Sequence, residues 1–382
     1  MDMGEAYIID ALRTPFGRRN GMLKDIRPDD LAAMTLKHLV LKTHTEPAAI
    51  EDVKVGCVTQ VGEQGFNIGR LAPLIAGFPV EVPGASVNRM CASSLETVNQ
   101  AAQAIKADMH DVVIAAGVES MTRVPMGSDG STFSEQLLAQ YQIVPQGISA
   151  ELIAQKWNLS REELDTYSYQ SHMRALASQR AGYFDKETYE VSVPSADDPE
   201  HKVRVDEGPR PDTTVDKMGT LRLAFKPDGV VTAGNSSQIT DGASALLLAS
   251  EEGVKRYGYS PRARIVAMSV VGVDPVIMLT GPIPATRKVL DKAKLRFEDI
   301  DVFEVNEAFA SVVLAWGKEY HPNWDKVNPH GGAIAIGHPL GASGGRLVMT
   351  ALNDLEENHG RYGLITMCIG WGMGVATIIE RL

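Results

Sequence analysis

Of the three cysteines Cys57, Cys91 and Cys368, Cys91 has the neighbours that chemistry would need. A short run at residues 84–87 reads as a strand. Beyond Cys91, apolar residues fall at Leu95, Val98, Ala102 and Ile105, steps of three, four and three that line one helix face. A cysteine at such a strand-to-helix turn faces unpaired backbone N–H groups and the positive end of a helix dipole, which stabilise a thiolate. The same N–H groups could hold an oxyanion. On position alone the thiol serves equally well as a small buried hydrophobe.

Three further segments carry candidate groups. Residues 328–345 are dense in glycine and hold His330 and His338. Pro339 turns the chain and a helix follows towards Leu352, so His338 is expected at a strand-to-helix junction like that of Cys91. A lone histidine is more often structural, but the flanking glycines let a ligand or another backbone approach closely. Cys368 ends an apolar strand before Gly370, Trp371, Gly372 and Gly374, as a site loop or as a buried cysteine beside a β-bulge. Asn306 ends another strand, where its amide could orient a water or ligand, or simply cap the next helix.

The elements around these residues indicate an α/β fold. Strand patterns at residues 7–11, 53–58 and 112–116 flank a helix at 30–41. The last third repeats the order, with strands at 263–271, 300–305, 362–367 and 375–379 and a helix at 284–293, consistent with an internal duplication. Residues from about 120 to 228 break the pattern. They include a capping box at Ser160 and Glu163 that opens a helix towards Arg180, stopped by Gly182, and a surface loop at 195–202. A long insertion between two similar halves suits a substrate-binding lid.

The chain has 382 residues, 44% hydrophobic and 22% charged, with a net charge of −11. That length suggests two or three folding units. The acidic balance argues against nucleic-acid binding, which needs a basic face. No run nears the roughly 18 apolar residues of a membrane span, and no leader pattern opens the sequence, so a cytoplasmic protein is expected. An odd, sparse cysteine set without a C-x-x-C pair gives neither a disulfide framework nor a zinc site.

Taken together, Cys91-Ala92-Ser93, Asn306-Glu307-Ala308-Phe309, Gly337-His338-Pro339 and Cys368-Ile369-Gly370 resemble the four catalytic loops of the thiolase superfamily, in the family's order and over essentially the whole chain. Residues 232–242 are similar to its coenzyme-A-binding stretch. This resemblance implies duplicated βαβαβαββ halves in a five-layered αβαβα arrangement, with residues 1–118 plus 228–260 as one half, 119–227 as a loop domain and 261–382 as the other half. It implies Cys91 as the acylated nucleophile, His338 as its base, Cys368 as the acid/base at the α-carbon, and Asn306 and Gly370 as contributors to two oxyanion holes. Ser237, Arg210, Ser93, Ala233, Phe309 and Met278 are implied near the acyl-CoA. No metal or permanently bound cofactor is implied. Coenzyme A and acetyl-CoA are co-substrates.

The lid stretch 145–151 lacks the His-Met pair of biosynthetic acetoacetyl-CoA thiolases, and the tetramerisation hairpin is missing. Both features resemble degradative 3-ketoacyl-CoA thiolases, so a homodimer is expected, with a homotetramer or a complex with a hydratase/dehydrogenase as alternatives. Trp371 stands where the family has glycine, and Lys217 where some relatives have serine. Competing readings are weaker. Gly341-Ala342-Ser343-Gly344-Gly345 matches the G-x-S-x-G hydrolase motif, but the only later histidine is His359, at a polar helix end. A non-catalytic acyl-CoA-binding relative is expected to lose Cys91, His338 or Cys368, and ketoacyl synthases carry a histidine in place of Cys368.

Overall fold

A computed structural model describes residues 4–193 and 198–382. The first half runs β1 (Tyr7–Arg13), β2 (Gly17–Arg18), α1 (Pro28–Lys42), β3 (Asp52–Gly56), α2 (Ile68–Ile75), β4 (Gly84–Val87), α3 (Ser93–Lys106) and β5 (Val112–Ser120). The intervening segment holds α4 (Glu135–Gln140), α5 (Gln146–Lys156), α6 (Arg161–Arg180), a two-residue ladder of β6 (Val191–Ser192) with β7 (Lys202–Val203), and α7 (Val215–Gly219). β8 (Thr240–Ala249) then returns to the first half and α8 (Glu251–Tyr257) leaves it. The second half is β9 (Ala263–Gly272), α9 (Pro282–Ala293), β10 (Val302–Val305), α10 (Ala310–Tyr320), α11 (Ser343–Glu357), β11 (Tyr362–Ile369) and β12 (Met373–Arg381).

Among the described residues the strands other than β6 and β7 form one 10-stranded sheet, ordered β10-β11-β12-β9-β1-β8-β5-β3-β4 with β2 beside β8. Its two parts repeat one topology. In the first, β3 is parallel to β4 and β5, and β8 is antiparallel to β5 and β1. In the second, β10 is parallel to β11, and β12 is antiparallel to β11 and β9. The counterpart of β4 has shrunk to a bridge between Val327 and Phe303. The halves join where Tyr7 and Ile8 pair with Arg264 and Ala263.

Burial resolves the layers. Leu95, Val98 and Ile105 on α3 and Leu347, Ala351 and Leu355 on α11 share one core with inward residues of both half-sheets. Leu31, Leu36 and Leu39 on α1 pack on the outer face of the first half-sheet. Val289 on α9 and Val313 and Trp316 on α10 cover the outer face of the second. The result is the expected α/β five-layered αβαβα order, with α3 and α11 buried as a pair. Strands this enclosed read as nearly continuous apolar runs: all nine residues of β5 are buried.

The intervening segment leaves the first half but packs on the second. Ala150 and Ile153 of α5 and Leu164 and Tyr167 of α6 belong to the same core as α10. The Ser160–Glu163 capping box forms, and Gly182 takes a φ of 71° at the stop, as expected. Of the expected surface loop at 195–202, residues 195–197 lie outside the described residues. Asp198–His201 form a turn in which the His201 N–H donates to the Asp198 carbonyl at 3.3 Å.

Candidate active site

The turn that carries the nucleophile candidate is built from local hydrogen bonds. Met90 has a φ of 46°, a left-handed conformation that is uncommon for a side chain of this size. Ser93 holds it: the Arg89 N–H donates to Ser93 Oγ at 2.9 Å, and that hydroxyl donates to the Met90 carbonyl at 2.6 Å. Cys91 follows, 3% exposed, ahead of the first turn of α3. Ser93 is fully buried and its hydroxyl is committed to this turn.

The first turns of α3 and α11 touch, with the Gly345 N–H donating to Ser94 Oγ at 3.0 Å. A side chain at Gly344 would meet the Leu95 backbone nitrogen at 2.3 Å, so glycine is what permits the approach. This contact carries the loop bearing His338 to Cys91, and Leu340 packs in one small cluster with Cys91. The strand expected from sequence ahead of His338 does not form; the residue before it lies in a turn-rich loop from Asn328 to Leu340. Buried carboxylates anchor that loop. Glu119 accepts from the N–H groups of Val58, Thr59 and Gly341 and from Gln64 Nε2 at 2.8–3.1 Å. Glu307 accepts from Tyr167, Ser171 and the Ile334 N–H at 2.7–3.1 Å.

His338 is 3% exposed. Its Nδ1 lies 2.6 Å from Ser343 Oγ, and that hydroxyl donates to the Pro339 carbonyl at 2.9 Å. With the serine proton so used, Nδ1 carries the hydrogen and Nε2 keeps its lone pair. Nε2 lies 3.3 Å from Asn306 Nδ2. Asn306 caps no helix. The helix after it starts at Ala310 with Phe309 at the cap position, and the buried Asn306 Oδ1 has no partner among the described residues. Ser343 is buried in this role and is no hydrolase nucleophile.

Cys368 pairs regularly with Gly374, without a bulge. The Gly370 N–H favours the charged form of Cys91, and charge on Cys91 acts on Cys368. Burial decides all three protonation states. It pushes the Cys91 thiol up to about 11, against the lowering pull of the Gly370 and Cys91 N–H groups and with a small push from Glu119. Burial and then Cys91 push Cys368 well above the ordinary thiol range. Burial and then Arg346 hold His338 down to about 3. The free site therefore holds two thiols and a neutral imidazole. Desolvation thus works against the thiolate expected from the helix terminus and outweighs the pull of the two N–H groups.

The structure thus brings Cys91, His338, Asn306, Cys368 and Gly370 together. The stretch at 232–242 is threaded between two of their loops: the Ser237 N–H donates to the Ala308 carbonyl at 2.9 Å, and the His338 N–H donates to the Gln238 carbonyl at 3.1 Å. Phe309 is buried with its ring edge-on to Phe225. Ala233 and Arg210 are exposed, and the Arg210 backbone N–H donates to His172 Nδ1 at 3.2 Å. Lys217 is exposed beside Asp212. Met278 is buried under the loop after Cys368, where its sulfur accepts the Trp371 N–H. Among the described residues no group of three His, Cys, Asp or Glu side chains is arranged for a metal, and no helix is long and apolar enough to cross a membrane.

Residues 6–252 match the model of the thiolase N-terminal domain, and residues 259–381 that of the thiolase C-terminal domain. The chain belongs to the thiolase family. A steroid 3-ketoacyl-CoA thiolase of Mycobacterium tuberculosis is 50% identical, covering 100% of this chain and 95% of that protein. A beta-ketoadipyl-CoA thiolase of Acinetobacter baylyi is 44% identical with 100% of each covered. Among solved structures, an acetyl-CoA acetyltransferase of Bacillus anthracis superposes with a TM-score of 0.93 at 36% identity, covering 100% of each chain. This thiolase is accordingly an acyltransferase.

Sequence reading missed the residues that hold the site in shape. Glu307 and Gln238 lie inside stretches singled out from sequence but without a role of their own, and Glu119 bears no chemistry-like spacing. Ser343 was visible only inside a hydrolase-like motif to which it does not belong.

Proposed function

We propose that this thiolase cleaves 3-ketoacyl-CoA with coenzyme A to acetyl-CoA and a shortened acyl-CoA, as a degradative enzyme. The observation that carries the reading is the 3.3 Å approach of His338 Nε2 to Asn306 Nδ2, with Nδ1 held by Ser343 and Leu340 of the same loop packed with Cys91, which leaves a lone-pair nitrogen to take a thiol proton.

In the proposed reaction His338 Nε2 takes the Cys91 proton as the sulfur attacks the 3-carbonyl. The coupling matters because neither ion is stable alone in this dry site. The Cys91 and Gly370 N–H groups hold the oxyanion. The C2–C3 bond breaks, its electron pair forms the thioester enolate, and Cys368 protonates C2 to give acetyl-CoA. The enolate oxygen lies by His338 and a water held by Asn306. Coenzyme A then loses its thiol proton to the Cys368 thiolate and attacks the Cys91 thioester. Cys91 leaves and recovers its proton from His338. Ser237, Ala233, Arg210, Phe309 and Met278 line the acyl-CoA path, residues 119–227 act as the lid, and the enzyme works as a cytoplasmic homodimer.

A thiolysis panel from acetoacetyl-CoA to longer and bulkier 3-ketoacyl-CoAs tests the reading, with mass analysis of the Cys91 peptide for the trapped acyl group. Cys91→Ala should lose all turnover while keeping its circular dichroism; turnover in that variant would refute the mechanism. The likeness to an acetyl-CoA acetyltransferase favours one alternative, which activity confined to acetoacetyl-CoA would select.

A further inference from the structure

Trp371 follows Gly370 with a φ of 67°. A left-handed backbone is a rare state for a bulky L side chain, and glycine would adopt it freely. The surroundings enforce it. The Trp371 N–H donates to Met278 Sδ at 3.3 Å. Gly372 lies so close to residues 273–275 that a side chain there would meet the Val273 carbonyl oxygen at 2.5 Å. Strain kept beside a reacting group points to a use for the side chain.

The indole is 43% exposed and meets Phe133 edge-on, with centroids 5.1 Å apart and planes at 75°. Gly370 in turn is flanked by Gln146 and Met90, whose atoms would lie 3.0 and 3.7 Å from an added side chain. Met90 and Gln146 beside Gly370, and Trp371 and Phe133 next to it, therefore form a row of uncharged side chains along the loop that follows Cys368. From Val124 to Gln155 the lid segment contains no Lys or Arg. Of the basic residues nearest in sequence, Arg123 pairs with Glu63 at 2.6 Å, Lys156 lies over the Trp157 ring, and Arg89 holds Glu96 at 3.1 Å while its buried Nε has no partner among the described residues. Against these four side chains a carboxylate at the far end of an acyl chain would lose water without gaining a cation from them, whereas an uncharged chain or ring gains aromatic contact.

We infer that Trp371 and Phe133 form an aromatic gate beside Cys91 that selects 3-ketoacyl-CoA substrates with a bulky uncharged acyl group over those ending in a carboxylate. This rests on the proposed thiolysis. The test compares kcat/KM for two 3-ketoacyl-CoAs of equal chain length, one ending in an uncharged ring and one in a carboxylate. It uses the wild type, Trp371→Gly, Trp371→Phe and Phe133→Ala. The wild type should favour the uncharged substrate by about tenfold or more, and Trp371→Gly should cut that ratio by about tenfold, the scale of apolar-pocket discrimination. Phe133→Ala, on an exposed loop, should lower it in the same direction, and it decides the matter if Trp371→Gly fails to fold. Trp371→Phe should keep most of it. An active wild type that prefers the carboxylate, or ratios unmoved in both truncated variants, overturns the gate alone. A wild type that cleaves no 3-ketoacyl-CoA overturns the thiolysis reading instead.

Discussion

Ser343 fixes the tautomer of His338. Their 2.6 Å contact, together with the donation of the serine proton to the Pro339 carbonyl, leaves Nε2 as the lone-pair nitrogen facing Asn306. Ser343→Ala should therefore free the ring and lower kcat by roughly tenfold to a hundredfold, the range seen when a partner orienting an imidazole is removed. KM should change little. Steady-state kinetics decide this, and an unchanged kcat would show that the ring is oriented without the serine.

Cys368 and Cys91 should separate by step. Cys368→Ala should still accept an acyl group from acyl-CoA on Cys91, read as a mass increase of the intact protein, but should lose both cleavage and Claisen condensation. Equal loss of acylation and carbon–carbon chemistry would remove Cys368 from the role of α-carbon acid/base.

The thiol of Cys91 is held up at about 11 by burial. Alkylation of the free enzyme by iodoacetamide should therefore keep rising from pH 7 to about pH 10, because the reacting thiolate grows with pH until the thiol is half ionised. Stopped samples analysed for the Cys91 peptide give the profile. A plateau near neutral pH would reveal a preformed thiolate–imidazolium pair.

His172 is held down to about 4 by burial and then Arg210, and His338 to about 3 by burial and then Arg346. Unfolded, both imidazoles would take up protons below about pH 6.5. The unfolded state then binds more protons, so the stability that these groups contribute is complete above that pH and is lost as the pH falls towards 4. Glu304 acts with the opposite sign: burial raises it to about 8, so its contribution is complete below the ordinary Glu range and lost as the pH rises through 8. Urea midpoints for wild type and His172→Asn, compared at pH 7 and pH 5, isolate the histidine. The variant should lose less stability on acidification, and parallel losses would contradict the assignment.

Glu119 ties the loop of His338 to the first half through acceptors for Val58, Thr59, Gln64 and Gly341. Glu119→Ala should strand those buried donors and cost on the order of 1–3 kcal/mol for each left unpaired. A drop in melting temperature with a larger drop in kcat is expected. An unchanged melting temperature would mean that the loop is held by other contacts.

Much of this molecule was legible in its sequence. The apolar runs of β5 and β9 and the helical spacing after Cys91 made the α/β duplication legible, because buried strands and amphipathic helices write their periods directly into residue order. Cys91, Asn306, His338 and Cys368 were legible as an ordered set, each beside a glycine or a helix start. Tertiary structure alone decided their state. Whether a helix terminus yields a thiolate at Cys91 depends on how completely water is excluded, and desolvation is a property of the packed layers rather than of neighbouring residues. The clamping roles of Glu119 and Glu307 were not legible for the same reason, since most of their partners lie far away in the chain. Trp371 stood out by type, but its left-handed backbone, its contact with Phe133 and its place beside the Gly370 N–H exist only in the folded turn.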